Sequence, residues 1–426
     1  MKVLVVGGGA SGTLIAINLA RNAKRKLSVT IAEPNELIGR GIAYGTQDST
    51  YLLNVPAGRM SALVEEPNHF CDWAGLQHGE FAQRRIYGKY LSETLFKSAS
   101  DNPELTLNHV RDLVMAIKLQ ANGKFYVEFQ DIEPEIFDCV VIAIGHGPAI
   151  SLSPITDLVP HPRMVSDPWR QLYKEFEGAL VCIGTGLTFV DHALTHIKFN
   201  GGNTVIGISR TGLLPESHVE GSHPALSVPN SVYESPAALK QFINAADDWR
   251  SAVEGVRREL PAIWQTWGRN KQLDFFAKYL RWWNVRRHRA SFEVHKELNK
   301  AIEDGRIRIL QGEIVSVNEK DLRFELTLDS GERVFADLII NCLGYEGNSK
   351  TSLIRSMVKE NLAVIDEHEL GIKTNFPSYQ LIDSTGGAVP RLYAIGPVLL
   401  GERFETTAIP EIRSQAKEIA QNLIGF

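Results

Sequence analysis

The chain opens on an unbroken apolar run, Val3-Leu4-Val5-Val6, and passes at once into Gly7-Gly8-Gly9-Ala10-Ser11-Gly12. A short run that is apolar on both faces predicts a buried strand of a parallel sheet. Apolar positions then recur at helical spacing (Leu14, Ile15, Ile17, Leu19), so a helix is expected over about Ser11 to Arg21. A second strand pattern, Leu27 to Ala32, ends in Glu33. The same form, an apolar strand ending at a glycine, returns at 138–145, 178–186, 336–344 and 391–396. Another strand is expected over Thr204 to Ile208. Residues 235–302 carry long helical patterning and five of the seven tryptophans, and residues 306–335 read as a small antiparallel strand set returning to the sheet. Together these patterns predict an α/β protein with two Rossmann-like, three-layer dinucleotide-binding domains and a helical Trp-rich insertion. The expected division is 1–165, then 166–335 with the insertion at about 215–302, then 336–426 returning to the first domain.

The glycines carry the first chemistry. Gly7 permits a tight turn, Gly9 lets backbone approach a pyrophosphate, and Gly12 lets the helix pack closely on the strand. Ala10 and Ser11 open that helix, whose positive end faces the phosphates. Glu33 stands about 20 residues beyond the glycines, where an acid hydrogen-bonds a ribose diol. A weaker copy follows at Gly184-Thr185-Gly186-Leu187-Thr188-Phe189, with Phe189 in the third glycine position. Gly184, Gly186 and Thr188 are its candidate contacts. The next strand ends in Ser209-Arg210 with no acid at its tip. An arginine there pairs with a 2′-phosphate that a carboxylate would repel, so NADP(H) is expected over NAD(H). Gly145 and Gly396 end strands where a chain leaves a parallel sheet beside a cofactor.

Composition narrows the classes. The 426 residues can hold two sizeable cores, and a net charge of -5 argues against general nucleic-acid binding. The four cysteines, Cys71, Cys139, Cys182 and Cys342, form no Cys-x-x-Cys, which removes a zinc ribbon and a local redox pair. No metal site is expected. No apolar stretch has the length of a membrane span, and the opening run is too short for a signal peptide, so a cytoplasmic protein is expected.

Several ordered motifs carry a resemblance. Gly39-Arg40-Gly41-Ile42-Ala43-Tyr44-Gly45-Thr46, the run from Leu52 to Ser61, Asp167-Pro168-Trp169, the run from Ser209 to Pro215, Arg287-His288-Arg289 and the run from Glu405 to Arg413 resemble a bacterial family of FAD-NAD(P)-binding proteins. More distantly, the order of elements is similar to the flavin N-hydroxylating and Baeyer–Villiger monooxygenases. Their Phe-x-Gly-x-x-x-His fingerprint is missing; His161 to Trp169 occupies its place.

The resemblance implies FAD at the first turn and a nicotinamide at the second. It then implies that Glu33 takes the adenosine ribose, that Arg40 neutralises a phosphate and that the backbone of Val114 meets adenine. Asn54, Arg59 and Met60 would surround the flavin ring. The bland alternatives are a surface arginine for Arg40, a turn residue before Pro56 for Asn54 and a salt bridge for Arg59. Thr406 and Thr407 are expected to cap the final helix, whose dipole would face the flavin. For the run 281–289 the plainer expectation is one packed aromatic face and one solvated basic face; the sharper one is the border of an anion pocket.

The function expected is an NADPH-dependent FAD oxidoreductase, a monooxygenase acting on a small molecule with O₂. The alternatives are a flavin reductase or dehydrogenase with an organic acceptor, and a flavin-binding interaction protein with a vestigial nicotinamide site, which Phe189 favours. No catalytic residue stands out. His146 and His218 are acid–base candidates whose commoner reading is a satisfied loop histidine.

Overall fold

The structure, a computed structural model, describes residues 1–151, 153–155, 160–170, 178–199, 204–221, 223–320 and 323–425. Two parallel sheets organise it. The first runs Thr374–Asn375, Gln380–Ile382, Ala388–Ala394, Cys139–Ile142, Lys2–Val6, Leu27–Ala32, Leu105–Val110, and is parallel from Ala388–Ala394 onward. Its central strands are buried on both faces, as their unbroken apolar sequence requires. The helix Ala10–Asn22 packs between Arg84–Ser100 and Ile409–Ile424, so the two ends of the chain share one core.

The second sheet runs Ile307–Gln311, Val205–Ser209, Leu180–Ile183, Leu338–Asn341, Met164–Val165, all parallel. Two expectations change here. Ile307–Gln311 is a parallel strand beside Val205–Ser209, and only Ile314–Lys320, Arg323–Leu328 and Arg333–Ala336 form the antiparallel set. The second sheet also takes in Met164–Val165 and Leu338–Asn341, so it reaches past both ends of the expected 166–335 segment. A lone apolar strand between glycines carries no mark of which sheet it joins. A matching antiparallel set, Val114–Leu119, Phe125–Phe129 and Glu135–Phe137, lies between the strands Leu105–Val110 and Cys139–Ile142 of the first sheet.

The insertion is helical: Ser231–Glu234, Pro236–Ala245, Trp249–Lys278, Leu280–Arg287 and Phe292–Glu303. Ser235, Asp248 and Ser291 start three of these by accepting from Ala238 N, Arg250 N and Val294 N. Trp264, Trp267, Trp283 and Phe275 form a separate aromatic core with Phe404 from the C-terminal segment. Among the described residues no helix is long and apolar enough to cross a membrane.

Phe189 has a structural reason. Its ring is fully buried, and a Cβ on Gly207 of the neighbouring strand would lie 2.8 Å from it. A glycine moved from helix to strand thus keeps the helix close to the sheet. Gly207→Ala is expected to cost about 1–3 kcal/mol from overpacking, and Phe189→Leu to recover part of that in the double variant. Urea midpoints of the two single variants and the double variant check this; strictly additive losses would contradict it.

Candidate functional site

The first glycine turn is held by contacts that exclude side chains. Gly7 has φ +103°, and a Cβ there would meet Ala143 O at 2.5 Å. A Cβ at Gly12 would stand 1.9 Å from Gly7 O, so only glycine lets this helix sit against this strand. Gly9 precedes the helix in an extended conformation, and no side chain caps the helix. Its first amide N–H groups are therefore left for an anion. Glu33 is buried and accepts from Gly8 N at 2.9 Å, Asn35 N at 3.1 Å and Asn35 Nδ2 at 2.6 Å. A carboxylate has about four acceptor positions, so one remains for a ribose hydroxyl. Arg40 Nη1 donates to Arg85 O at 2.6 Å, while its Nε is buried without a partner. Arg40 lies against Gly88, where a Cβ would come within 2.7 Å of its Cδ. These residues fit a dinucleotide.

The C-terminal segment closes on the same turn. Gly396 has φ +79°, and its missing Cβ leaves room for Ser11 Oγ, which would lie 2.4 Å away. Thr406 Oγ1 donates to Gly396 O at 3.0 Å and accepts from Gln415 Nε2 at 2.9 Å, while Gln415 Oε1 accepts from Gly396 N at 3.0 Å. This corrects the capping expectation: the last helix is Ile409–Ile424, its N-cap is Ala408 without a side-chain bond, and Thr406 is a buried latch instead. Thr407 is half-buried beside it. Pro410 does lie in the first turn.

The second turn repeats the first. Gly184 has φ +98°, and its Cβ would meet Cys342 O at 2.7 Å, as Gly7 meets Ala143. Thr185 Oγ1 lies 2.8 Å from Ser209 Oγ, tying the turn to the end of the next strand. Thr188 sits half-buried in the first turn of Leu187–Phe199. Arg210 is exposed and pairs with no carboxylate among the described residues. A second arginine arrives from the insertion. Arg281 Nη2 donates to Thr185 O at 3.1 Å, to Thr185 Oγ1 at 3.0 Å and to Leu213 O, and its Nη1 is the one atom near Gly186. Nothing in the local pattern at 281 signals that contact, which spans 96 residues.

The face of Leu187–Phe199 docks on the first unit. Arg84 meets Asp191 at 3.2 Å, Tyr51 OH meets His192 Nδ1 at 3.2 Å and Thr50 meets Thr195 at 2.9 Å. Burial, against the pull of Arg84, raises the Asp191 carboxyl to about 6.

A cavity of about 1080 Å³ lies among segments 56–59, 77–81, 218–223, 254–261, 289–293 and 403–418. Arg59 is on its wall and pairs with Glu254 at 3.0 Å. Asn54 O accepts from His218 Nε2 at 3.0 Å, and His218 lines the cavity. The side chains of Met60 and Val114 pack in the first core. Gly145, with φ +72° and open space around it, accepts from Asn348 Nδ2 at 2.6 Å. Burial holds both His218 and His146 down to about 4, helped by Arg289 and Arg170 respectively, so both rings are neutral at neutral pH. His146 stacks on Tyr345.

Beneath the cavity is a buried ion network. Glu254 accepts from Arg59, from Arg257 at 3.1 Å and from Arg289 at 2.9 Å. Arg287 donates twice to Glu405, at 3.0 and 2.9 Å, and Arg257 also meets Glu411. The basic face expected to be solvated is therefore partly buried: the Arg287 and Arg289 side chains are 4% and 5% exposed. Sequence spacing marked Arg287, Arg289 and Glu405 but missed Glu254 and Arg257, which look like surface positions of a long helix. All four cysteines are buried and free. The fold does bring Cys182 and Cys342 onto adjacent strands, where burial, then Cys182, pushes the Cys342 thiol well up.

Residues 4–147 match the family model described as FAD-NAD(P)-binding. No curated protein matches the chain significantly. The reduced ornithine hydroxylase from Pseudomonas aeruginosa superposes with a TM-score of 0.61 at 16% identity, over 99% of this chain and 98% of that one. The bacillithiol disulfide reductase from Bacillus cereus gives 0.59 at 15% identity, over 100% and 99%. The FAD-bound cadaverine monooxygenase of desferrioxamine biosynthesis from Erwinia amylovora gives 0.60 at 13% identity, over 100% and 94%. Residues 4–147 thus match the model of an FAD-NAD(P)-binding domain, and the whole chain shares its fold with these solved structures.

The network predicts a pH dependence. Burial works to raise the Glu254 carboxyl, but Arg257, Arg59 and Arg289 overcome it and hold it at about 2, below its ordinary 4.5. Its stabilisation is complete above that ordinary value and is lost as pH falls toward about 2. Glu254→Gln is expected to cost about 3–5 kcal/mol at neutral pH, a gap that closes as acid protonates the wild-type glutamate. Urea denaturation from neutral to acidic pH measures it; a gap independent of pH would contradict the assignment.

Proposed function

We propose that this chain, with an FAD-NAD(P)-binding domain over residues 4–147, is an NADPH-dependent FAD oxidoreductase that oxygenates a small molecule. The carrying observation is the second glycine turn. It keeps the geometry of the first, has no acid at the tip of Val205–Ser209, and is flanked by two arginines, 210 and 281. A 2′-phosphate suits that charge, whereas a bare ribose diol calls for a carboxylate. On this reading the FAD unit is built from the two ends of the chain and the NADP unit from its middle.

The chain's own groups bind and orient. The uncapped helix Ala10–Asn22 and Arg40 hold the FAD phosphates, and Glu33 accepts from the ribose. Gly396 and the Thr406–Gln415 latch fix the start of the last helix beside the first glycine turn, where it would face a bound flavin. Arg59 and His218 line the cavity proposed to receive substrate, and Asn54 stands behind that wall, its O bonded to the neutral His218 ring. Bound FAD would supply the two-electron redox chemistry between NADPH and O₂, an overall reaction that puts one oxygen atom into the substrate and releases the other as water. Two of the structural relatives, an ornithine hydroxylase and a cadaverine monooxygenase, lend support to oxygenation. The buried thiols disfavour onward transfer to a protein disulfide.

Oxygen dependence is the test. Substrate-stimulated NADPH oxidation is expected to consume O₂ one for one and to stop under anaerobic conditions, as an oxygen electrode with parallel absorbance would record. Product formed equally fast without O₂, using a quinone as acceptor, would replace oxygenation with a dehydrogenase reading.

A further inference from the structure

Among the arginines that line the cavity, the buried ones meet carboxylates with one exception; Arg258, Glu220, Glu293 and Glu418 also line it but are exposed. Arg59, Arg257 and Arg289 all meet carboxylates. Arg403 lines the same cavity, is 8% exposed, and makes no hydrogen bond or ion pair among the described residues. Its guanidinium lies 4.2 Å from the Tyr379 ring centre and 4.9 Å from that of Phe376. The nearest carboxylates, Glu402 and Glu418, act on it electrostatically but stand beyond ion-pair distance. A buried cation without hydrogen bonds is costly. Arg403 escapes the full penalty because its nitrogens, unlike the Nε of Arg257 and of Arg289, are not sealed from the cavity. Stacking on aromatic faces leaves the edge N–H groups of a guanidinium free, as a fork suited to an oxyanion.

The position is also built rather than loose. Phe404, the next residue, has φ +52°, a left-handed conformation that costs a non-glycine residue energy. It is held there by stacking on Trp264, with ring centres 4.8 Å apart. Trp264 Nε1 donates to Gly401 O at 2.9 Å, clamping the same turn from its other side. The insertion thus fixes the backbone that aims Arg403 into the cavity.

We propose that Arg403 anchors the anionic group, a carboxylate or phosphate, of the molecule this cavity binds. The inference takes the cavity as the substrate site of the oxidoreductase proposed above. Its test needs neither NADPH nor O₂, so the two readings fail separately. Calorimetric titration of the FAD-loaded protein with hexanoate, hexyl phosphate and hexylamine is expected to show binding of one or both anions and none of the amine. The two anion arms tell carboxylate from phosphate. Arg403→Gln should weaken the bound anion at least tenfold and Arg403→Lys by less, because lysine keeps the charge but loses the fork. Arg258→Gln removes an equal charge from the exposed rim and should weaken binding less than threefold. Equal losses at 403 and 258, amine binding as tight as the anions, or no anion binding by wild-type protein would each overturn the proposal. So would an Arg403→Gln variant that keeps its anion affinity while shifting the flavin reduction potential, since Arg403 would then serve the flavin.

Discussion

The structure depends on a small set of charges most of which are taken out of water together. Arg257, Arg287 and Arg289 are buried, the half-exposed Arg59 joins them at the rim, and they meet Glu254, Glu405 and Glu411; these residues come from the segment after the first turn, the insertion and the C-terminal segment. Charges at such depth are tolerated only when paired and hydrogen-bonded, so each partner constrains where the others can be. Despite its burial, Glu405 stays below its ordinary range because Arg287, His288 and Arg257 surround it. The network helps shape the cavity, since Arg59, Glu254, Arg257, Arg289, Glu405 and Glu411 all line it, and it joins the insertion to the first unit and to the C-terminal segment.

The other constraint is the absence of side chains. Gly7 and Gly184 each bring a strand end within reach of the next strand's carbonyl, at Ala143 and at Cys342. The two units then diverge in how they seat the helix. The first uses Gly12 against Gly7 O, and the second accepts Phe189 by giving up a side chain at Gly207. That exchange accounts for Phe189 by packing, so its departure from glycine is not by itself a sign of a lost site. Arg281 adds to this by reaching from the insertion to Thr185.

Much of this was legible locally. The opening turn, Glu33 and the two strand-turn-helix units depend on neighbours close in sequence, and the helix came out as Ala10–Asn22 against an expected Ser11–Arg21. The role of Glu254 was not legible, since an acid with an arginine three residues on looks like an ordinary helix-surface pair until Arg59 and Arg289 reach it from other segments. Thr406 misled for a related reason: a threonine ahead of a helix suggests a cap, but its partner, Gly396, lies on a separate turn. The approach of Cys342 to Cys182, and the placing of Leu338–Asn341 in the second sheet, are likewise matters of topology rather than of pattern.

The central claim is that the second turn receives NADPH and serves a flavin held at the first. Anaerobic rapid mixing of the FAD-loaded protein with NADPH, followed at the visible flavin band, tests it most directly. The account predicts that the band bleaches in a saturable manner, and at least tenfold more efficiently with NADPH than with NADH. A band that persists with FAD demonstrably bound, or equal efficiency with the two nucleotides, would contradict it.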